Sequence, residues 1–180
     1  REHDVTIYVT PGNHEHWPSI LAAPLDERNE IGAVAWIAER IAVLPRGHRF
    51  TIGDRSFVSL GGAPSIDREL RVRGVDWWPE GMITDEDVAK VAAGGYADVL
   101  LAHDAPDAPW QTGAVARICA TDPGGWPHSV RTYAAAGRTL MTEALLAVQP
   151  RFYVHGHYHV ADRTKLILAR GRECTMISLD

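Results

Sequence analysis

Three short apolar segments of this chain each end in a loop that contains histidine. Residues 5–9 precede Pro-Gly-Asn-His-Glu, the run Val99–Ala102 precedes His103, and residues 152–154 precede His-Gly-His-Tyr-His at 155–159. Alternating or continuous apolar runs of this length are typical of β-strands. In α/β folds, ligand sites gather beyond the carboxyl ends of strands, so we expect these loops to form one site.

Each motif also has a plainer interpretation. Asn13 offers a carbonyl oxygen to a metal and His14 offers a proton, but Pro-Gly-Asn is equally good turn chemistry. His103 is either a ligand or a hydrogen-bonded core residue. His157 and His159 are two residues apart, and in an extended chain they would face the same way and converge on a metal ion.

In chain order, Gly-Asn-His-Glu at 12–15, Ala-His at 102–103 and Gly-His-Tyr-His at 156–159 resemble the last three motifs of the calcineurin-like metallophosphoesterases. Two earlier motifs of that family, Asp-x-His and Gly-Asp-x-x-Asp, do not occur in this sequence, and His3-Asp4 has the wrong spacing for either. Only 11 residues precede Gly12. We therefore expect one N-terminally truncated domain over residues 1–180.

The resemblance implies a two-metal phosphoesterase. By similarity, Asn13, His103 and His157 bind the second metal ion, His159 binds the first, and His14 protonates the leaving group. The implied cofactors are two divalent ions, with Mn favoured over Fe, Zn, Mg or Ni. Because the missing motifs carry the other ligands, we expect partial or weakened occupancy in this chain. The implied reaction is hydrolysis of a phosphomonoester or phosphodiester, with a small or nucleotide-like substrate favoured.

The patterning predicts an α/β fold, in which strands and helices alternate early and strands crowd the end. We predict helices over 29–44, 84–93 and 139–148, a hairpin of strands 48–52 and 55–60, and late strands over 165–169 and 175–179. The finer architecture comes from the resemblance, which implies a four-layer α/β/β/α sandwich of two mixed sheets flanked by helices.

Two long segments, 61–82 and 104–128, are predicted to be loops, and the first is a candidate substrate cap. Arg68 in this cap either binds substrate phosphate or forms a surface ion pair. Tryptophan is concentrated in the two loops, where it either stacks on a base or ring or fixes the loops to the core. These tryptophans are Trp77, Trp78, Trp110 and Trp126.

Composition narrows the environment and the partners. The net charge of −5 disfavours a protein that grips duplex nucleic acid, and the sequence lacks an apolar stretch long enough to span a membrane. Cys119 and Cys174 are far apart and are interpreted as free thiols of a reducing, cytoplasmic protein, although one disulfide stays open. An exposed sheet edge left by the truncation would favour a homodimer.

Two alternatives to the enzyme follow from the same residues. A protein that has lost metal ligands can keep this fold as a non-catalytic interaction scaffold or an inactive fragment, and three expected ligands are missing here. A purely structural metal site is the other alternative. A closed zinc cage is disfavoured because the two cysteines form no Cys-x-x-Cys pair.

Overall fold

Two β-sheets organise the chain, and the computed structural model describes residues 5–27 and 30–180. The strands are β1 (Ile7–Val9), β2 (Leu25–Asp26), β3 (Val34–Ala38), β4 (Ile41–Val43), β5 (Arg49–Ile52), β6 (Arg55–Leu60), β7 (Val99–Ala102), β8 (Phe152–His155), β9 (Asp162–Ile167) and β10 (Glu173–Ser178). The α-helices are α1 (Trp17–Ala22), α2 (Asp85–Ala93), α3 (Gly113–Thr121) and α4 (His128–Val148).

The larger sheet has six strands in the order β5-β6-β7-β8-β10-β9. Its four central strands run parallel, and an antiparallel strand pairs at each edge. Alternate residues of the central strands, such as Leu100 and Tyr153, are fully buried in the same core cluster as Met141 and Leu145 of α4. This cluster joins the sheet to α2 and α4, and burial of this apolar surface is the main stabilising contribution to the larger sheet.

The smaller sheet has four strands in the order β1-β4-β3-β2, with β1 parallel to β4 and the other pairs antiparallel. The predicted helix over 29–44 is wrong, because this stretch forms the antiparallel pair β3 and β4; its residue 29 lies outside the described residues. The β-branched residues Val34, Ile41 and Val43 favour strands, and β1 supplies a parallel partner that local periodicity cannot reveal.

The two sheets pack face to face. A second core cluster contains Val34, Ala42 and Leu44 from the smaller sheet and its flanks, and Leu101 and Phe50 of the larger sheet pack against it. Helices α2 and α4 cover the outer face of the larger sheet. The α/β prediction is therefore confirmed at the level of two mixed sheets flanked by helices.

Most local predictions are confirmed, and the largest errors concern helices. The hairpin β5-β6 and the helix α2 form as predicted, and Thr84 and Asp87 make a reciprocal capping box at the start of α2. The segment 104–128 is wrong as a continuous loop, because it contains the nine-residue helix α3. Helix α4 begins at His128, well before the predicted start at 139.

The segment 61–82 contains only two single turns of 3-10 helix, Arg68–Leu70 and Pro79–Gly81. Arg46 attaches both ends of this segment to the body of the protein. Its guanidinium donates to the carbonyl oxygens of Gly61 (2.9 Å) and Glu80 (2.7 Å), and it also pairs with Asp87 at 3.1 Å. The segment is therefore irregular in backbone but fixed at both ends.

Two sequence inferences concern the chain as a whole. Among the helices in the described part of the chain, none combines the length and apolarity needed to cross a bilayer. Both cysteines are free thiols, with Cys174 buried in the main core and Cys119 partly exposed.

Candidate functional site

The three histidine-containing loops meet at one end of the two sheets. Strands β7 and β8 are parallel neighbours with Leu101 opposite Val154, so the segments that follow them leave the sheet side by side. The Gly156 amide donates to the His103 carbonyl oxygen at 3.2 Å. The segment that follows β1, in the smaller sheet, brings Asn13 against this pair across the junction between the sheets.

Asn13 is buried and held by two side-chain contacts. Its amide nitrogen donates to Ser65 Oγ at 2.9 Å, which leaves Oδ1 facing His103 Nε2 at 3.1 Å. As a hydrogen bond, this contact requires the His103 tautomer that carries its proton on Nε2, because Oδ1 can only accept. The His103 ring lies directly on Gly12, where a Cβ atom would come within 2.5 Å of the ring. A glycine before Asn13 is therefore a steric requirement of this contact.

His103 and His157 are half-buried, with their ring centroids 5.1 Å apart in an edge-to-face arrangement. Burial, and then the neighbouring His157, lower the pKa of His103 to about 4, against an opposing effect of Glu15. Burial, and then His14 and His159, lower the pKa of His157 to about 4. Both rings are therefore neutral at neutral pH, which is the form that binds a metal ion.

His14 and His159 are exposed and stand at the rim of a cavity of about 550 Å³, which His157 also lines. The predicted geometry of the last motif is wrong in detail. Strand β8 ends at His155, and His157 and His159 adopt left-handed backbone angles, with φ of 70° and 49°. The two side chains therefore reach the same cavity through a turn and not along an extended strand.

Arg68, the predicted phosphate contact, does not line this cavity. Its guanidinium stacks on the ring of Tyr133, 3.6 Å from the centroid. The arginines that do line the cavity are Arg131 and Arg138, both on α4. Arg138 lies one residue before the predicted start of that helix, so a correct helix boundary would have placed it among the candidates.

Asp67 is a cavity residue to which sequence reasoning assigned no role of its own. Burial alone would raise its pKa, but the hydrogen bonds and charge of Arg71, with a smaller effect of His14, lower it. Arg71 contacts one carboxylate oxygen at 2.6 and 2.7 Å, and the other oxygen is buried with no hydrogen-bond partner among the described residues. Asp67 thus carries a negative charge beside His14.

A second cavity, of about 440 Å³, shares three residues with the first: His103, His157 and His159. Tyr8, Thr10 and Leu101 line it from the two sheets. The histidine cluster is thus the wall that separates two cavities.

The donor set fits one side of a metal centre. Asn13 Oδ1 and two neutral imidazoles are suitable ligands, and they converge from three distant parts of the chain. However, within residues 5–27 and 30–180, no three His, Cys, Asp or Glu side chains lie close enough to hold an ion among themselves. The described residues therefore supply part of a metal site and not a closed one.

Neither the models of protein families nor the curated proteins give a match to this chain. The calcineurin-like resemblance therefore stays a prediction that depends on three short motifs.

Proposed function

We propose that this protein is a metal-dependent phosphoesterase of the calcineurin-like type, acting on a small or nucleotide-like phosphomonoester or phosphodiester. The observation that carries the proposal is the contact between Asn13 Oδ1 and His103 Nε2, 90 residues apart in sequence, with the His157 ring beside it. A simple turn at Asn13 would not need its amide oxygen aimed at a half-buried neutral imidazole.

In this proposal Asn13, His103 and His157 hold one divalent ion, and His159 contributes to a second. The resemblance assigns the remaining ligands to its Asp-x-His and Gly-Asp-x-x-Asp motifs, which this sequence does not contain. Bound ions, with Mn²⁺ favoured, would supply Lewis acidity toward the phosphoryl oxygens and the attacking water. Because the pKa values of His103 and His157 are lowered to about 4, both imidazoles are neutral at neutral pH, and no proton has to be removed from an imidazolium before the ion binds.

His14 is the proposed general acid. It is exposed at the cavity rim, and it lies close enough to His157 and Asp67 to lower the pKa of each. It therefore lies beside the space that a substrate would enter. A protonated His14 can donate to the oxygen of the departing alcohol.

The test compares His14→Ala with wild-type protein on a good and a poor leaving group, in the presence of Mn²⁺. For an alkyl phosphoester we expect turnover to fall by about 10²–10³-fold, and for a p-nitrophenyl ester we expect a much smaller loss. The matched control is His128→Ala, at an exposed histidine on the first residue of α4. An equal loss on both esters would remove His14 from the acid role.

A non-catalytic scaffold is the second candidate, and the incomplete donor set in the described residues favours it. The two candidates separate in a single preparation. An enzyme binds Mn²⁺ and hydrolyses at least one of a mono- and a diester. A scaffold that binds Mn²⁺ through His157 but hydrolyses neither ester would replace the phosphoesterase proposal.

A further inference from the structure

Apolar side chains form part of the lining of the 550 Å³ cavity. They are Ile66 of the 61–82 segment, Ile118 of α3, Trp126 of the connecting turn and Ala134 of α4. The histidines belong to the same lining, so a molecule that fills the cavity must offer both polar and apolar surface.

Asp122 fixes the turn that carries part of this apolar lining. It ends α3 in a left-handed conformation (φ 45°), and its backbone N–H donates to Ile118 O. Its carboxylate accepts from the Trp126 amide at 3.2 Å and lies 3.6 Å from Arg131 Nε. One residue thus connects the end of α3, the tryptophan and the first turns of α4.

The Trp126 ring lies against the backbone of Gly124. A Cβ atom at Gly124 would come within 2.3 Å of Trp126 Nε1 and 2.8 Å of Cδ1. The ring can occupy this place only because residue 124 has no side chain. The Trp126 ring therefore has a fixed position in the cavity lining. A side chain introduced at Gly124 would displace this ring without removing it.

The two arginines of the cavity are already paired. Arg138 Nε donates to Asp107 Oδ1 at 2.8 Å, and Arg131 is close to Asp122. A substrate with several phosphates would need cations that are not so engaged, and the protein carries a net charge of −5. These charges favour a substrate with a single phosphoryl group at the histidine end.

We infer that the site takes a phosphoester whose alcohol is a bulky aromatic group of about nucleoside size, seated against Trp126 and Ile118 with its phosphoryl group at the histidines. This substrate class rests on the proposed function. A volume of about 550 Å³ is within the range of small-molecule sites. Stacking on an aromatic side chain tolerates any flat ring, so the preference is for aromatic character and not for one particular base.

Cys119 provides a readout of binding that needs no catalysis. Its thiol lines the same cavity and is partly exposed, whereas Cys174 is fully buried, so a maleimide should label Cys119 selectively. Burial raises the pKa of Cys119, so labelling is done at mildly alkaline pH. The probes are naphthyl phosphonate and methyl phosphonate, neither of which can be hydrolysed as an ester.

We expect naphthyl phosphonate to slow the labelling of Cys119 at concentrations at least about tenfold lower than methyl phosphonate. Trp126→Ala should remove most of that difference, and Gly124→Ala, which displaces the ring, should reduce it. Equal protection by both phosphonates in the wild-type protein would overturn the inference. That comparison needs no variant, so a variant that fails to fold does not weaken the test.

Hydrolysis separates this inference from the proposed function. If the chain hydrolyses phosphoesters, naphthyl phosphate should exceed methyl phosphate in kcat/KM by more than their leaving groups explain, and Trp126→Ala should remove the excess. Protection without any hydrolysis would keep the aromatic site and reject the phosphoesterase. Hydrolysis without aromatic preference would keep the phosphoesterase and reject the aromatic site.

Discussion

The two sheets of this protein carry the two halves of its candidate site, but they are packed very differently. The six-stranded sheet shares a large cluster of buried side chains with α2 and α4. Among the described residues, the four-stranded sheet contributes to a cluster of four buried side chains, and Ile7, Leu25 and Ile37 on its strands are more than half exposed. His103 and His157 follow strands of the six-stranded sheet, whereas Asn13 follows a strand of the four-stranded sheet.

Hydrogen bonds and a cation–π contact, more than core packing, hold the four-stranded sheet and the segment that carries Asn13. Trp17 donates from its indole to the Gly12 carbonyl oxygen at 3.0 Å, and the Arg46 guanidinium lies 4.0 Å above the Trp17 ring. Ser65, from the 61–82 segment, accepts from Asn13. The position of Asn13 therefore depends on individual polar contacts, and single substitutions can remove these one at a time.

The largest effect is expected from a matched pair of core leucines. Leu100→Ala in the six-stranded sheet should lower the free energy of unfolding by about 4–5 kcal/mol, because Leu100 is fully buried in the main core and its truncation leaves a cavity there. Leu44→Ala should cost about 2–3 kcal/mol, because Leu44 lines a surface cavity of about 300 Å³ into which neighbours can relax. Urea unfolding measures both. Equal losses would contradict the difference in packing.

Arg46→Met should cost about 2–3 kcal/mol, because it removes the cation paired with Asp87 and the donor to the Gly61 and Glu80 carbonyl oxygens. The control is Arg55→Met, whose side chain is 42% exposed and lies 3.5 Å from Asp54. We expect it to cost less than about 0.5 kcal/mol. The same urea titration measures both variants. If Arg46→Met lowers the free energy of unfolding as little as Arg55→Met, the contacts of Arg46 do not hold this part of the molecule.

The smallest expected effect is a pH dependence within the six-stranded sheet. Asp98 accepts hydrogen bonds from the Ser56 amide and hydroxyl and from Tyr96, and these lower its pKa from 3.8 to about 2. The folded state thus favours the ionised form, so its contribution is present above about pH 4 and is lost as the pH falls toward 2.

Asp98→Asn should therefore destabilise the protein at neutral pH, and the difference from wild type should shrink as the pH is lowered from about 5 to 2. Urea midpoints measured across that range give the comparison. Ser56→Ala removes one donor and should reproduce part of the same pH dependence. A difference that stays constant down to pH 2 would show that the ionised carboxylate does not matter.

Local signals account for what could be predicted of the fold. The hairpin β5-β6 has a Gly-Asp turn and α2 has a capping box, and both are confirmed because the information lies within a few residues. The stretch over 29–44 fits a helical period by spacing, but its strands β3 and β4 pair antiparallel and β1 pairs with β4 on the other side. Helix α3 is short and its flanks are rich in proline and glycine, which concealed it.

The site divides in the same way. The contact between Asn13 and His103 was anticipated through the order of the motifs, and no periodicity of the chain predicts it. Arg138 and the apolar wall around Trp126 depend on how α3 and α4 close over the sheet. Arg68 stacks on Tyr133, a partner far along the chain that local sequence patterns do not reveal.

The most direct test of the account is a titration of the metal-free chain with Mn²⁺, followed by electron paramagnetic resonance that detects nitrogen coupling to the ion. We predict Mn²⁺ binding with imidazole coupling, a large loss of affinity in His157→Ala, and unchanged binding in His128→Ala. Absence of nitrogen coupling, or equal binding by wild type and His157→Ala, would contradict the claim that these side chains form part of a metal site.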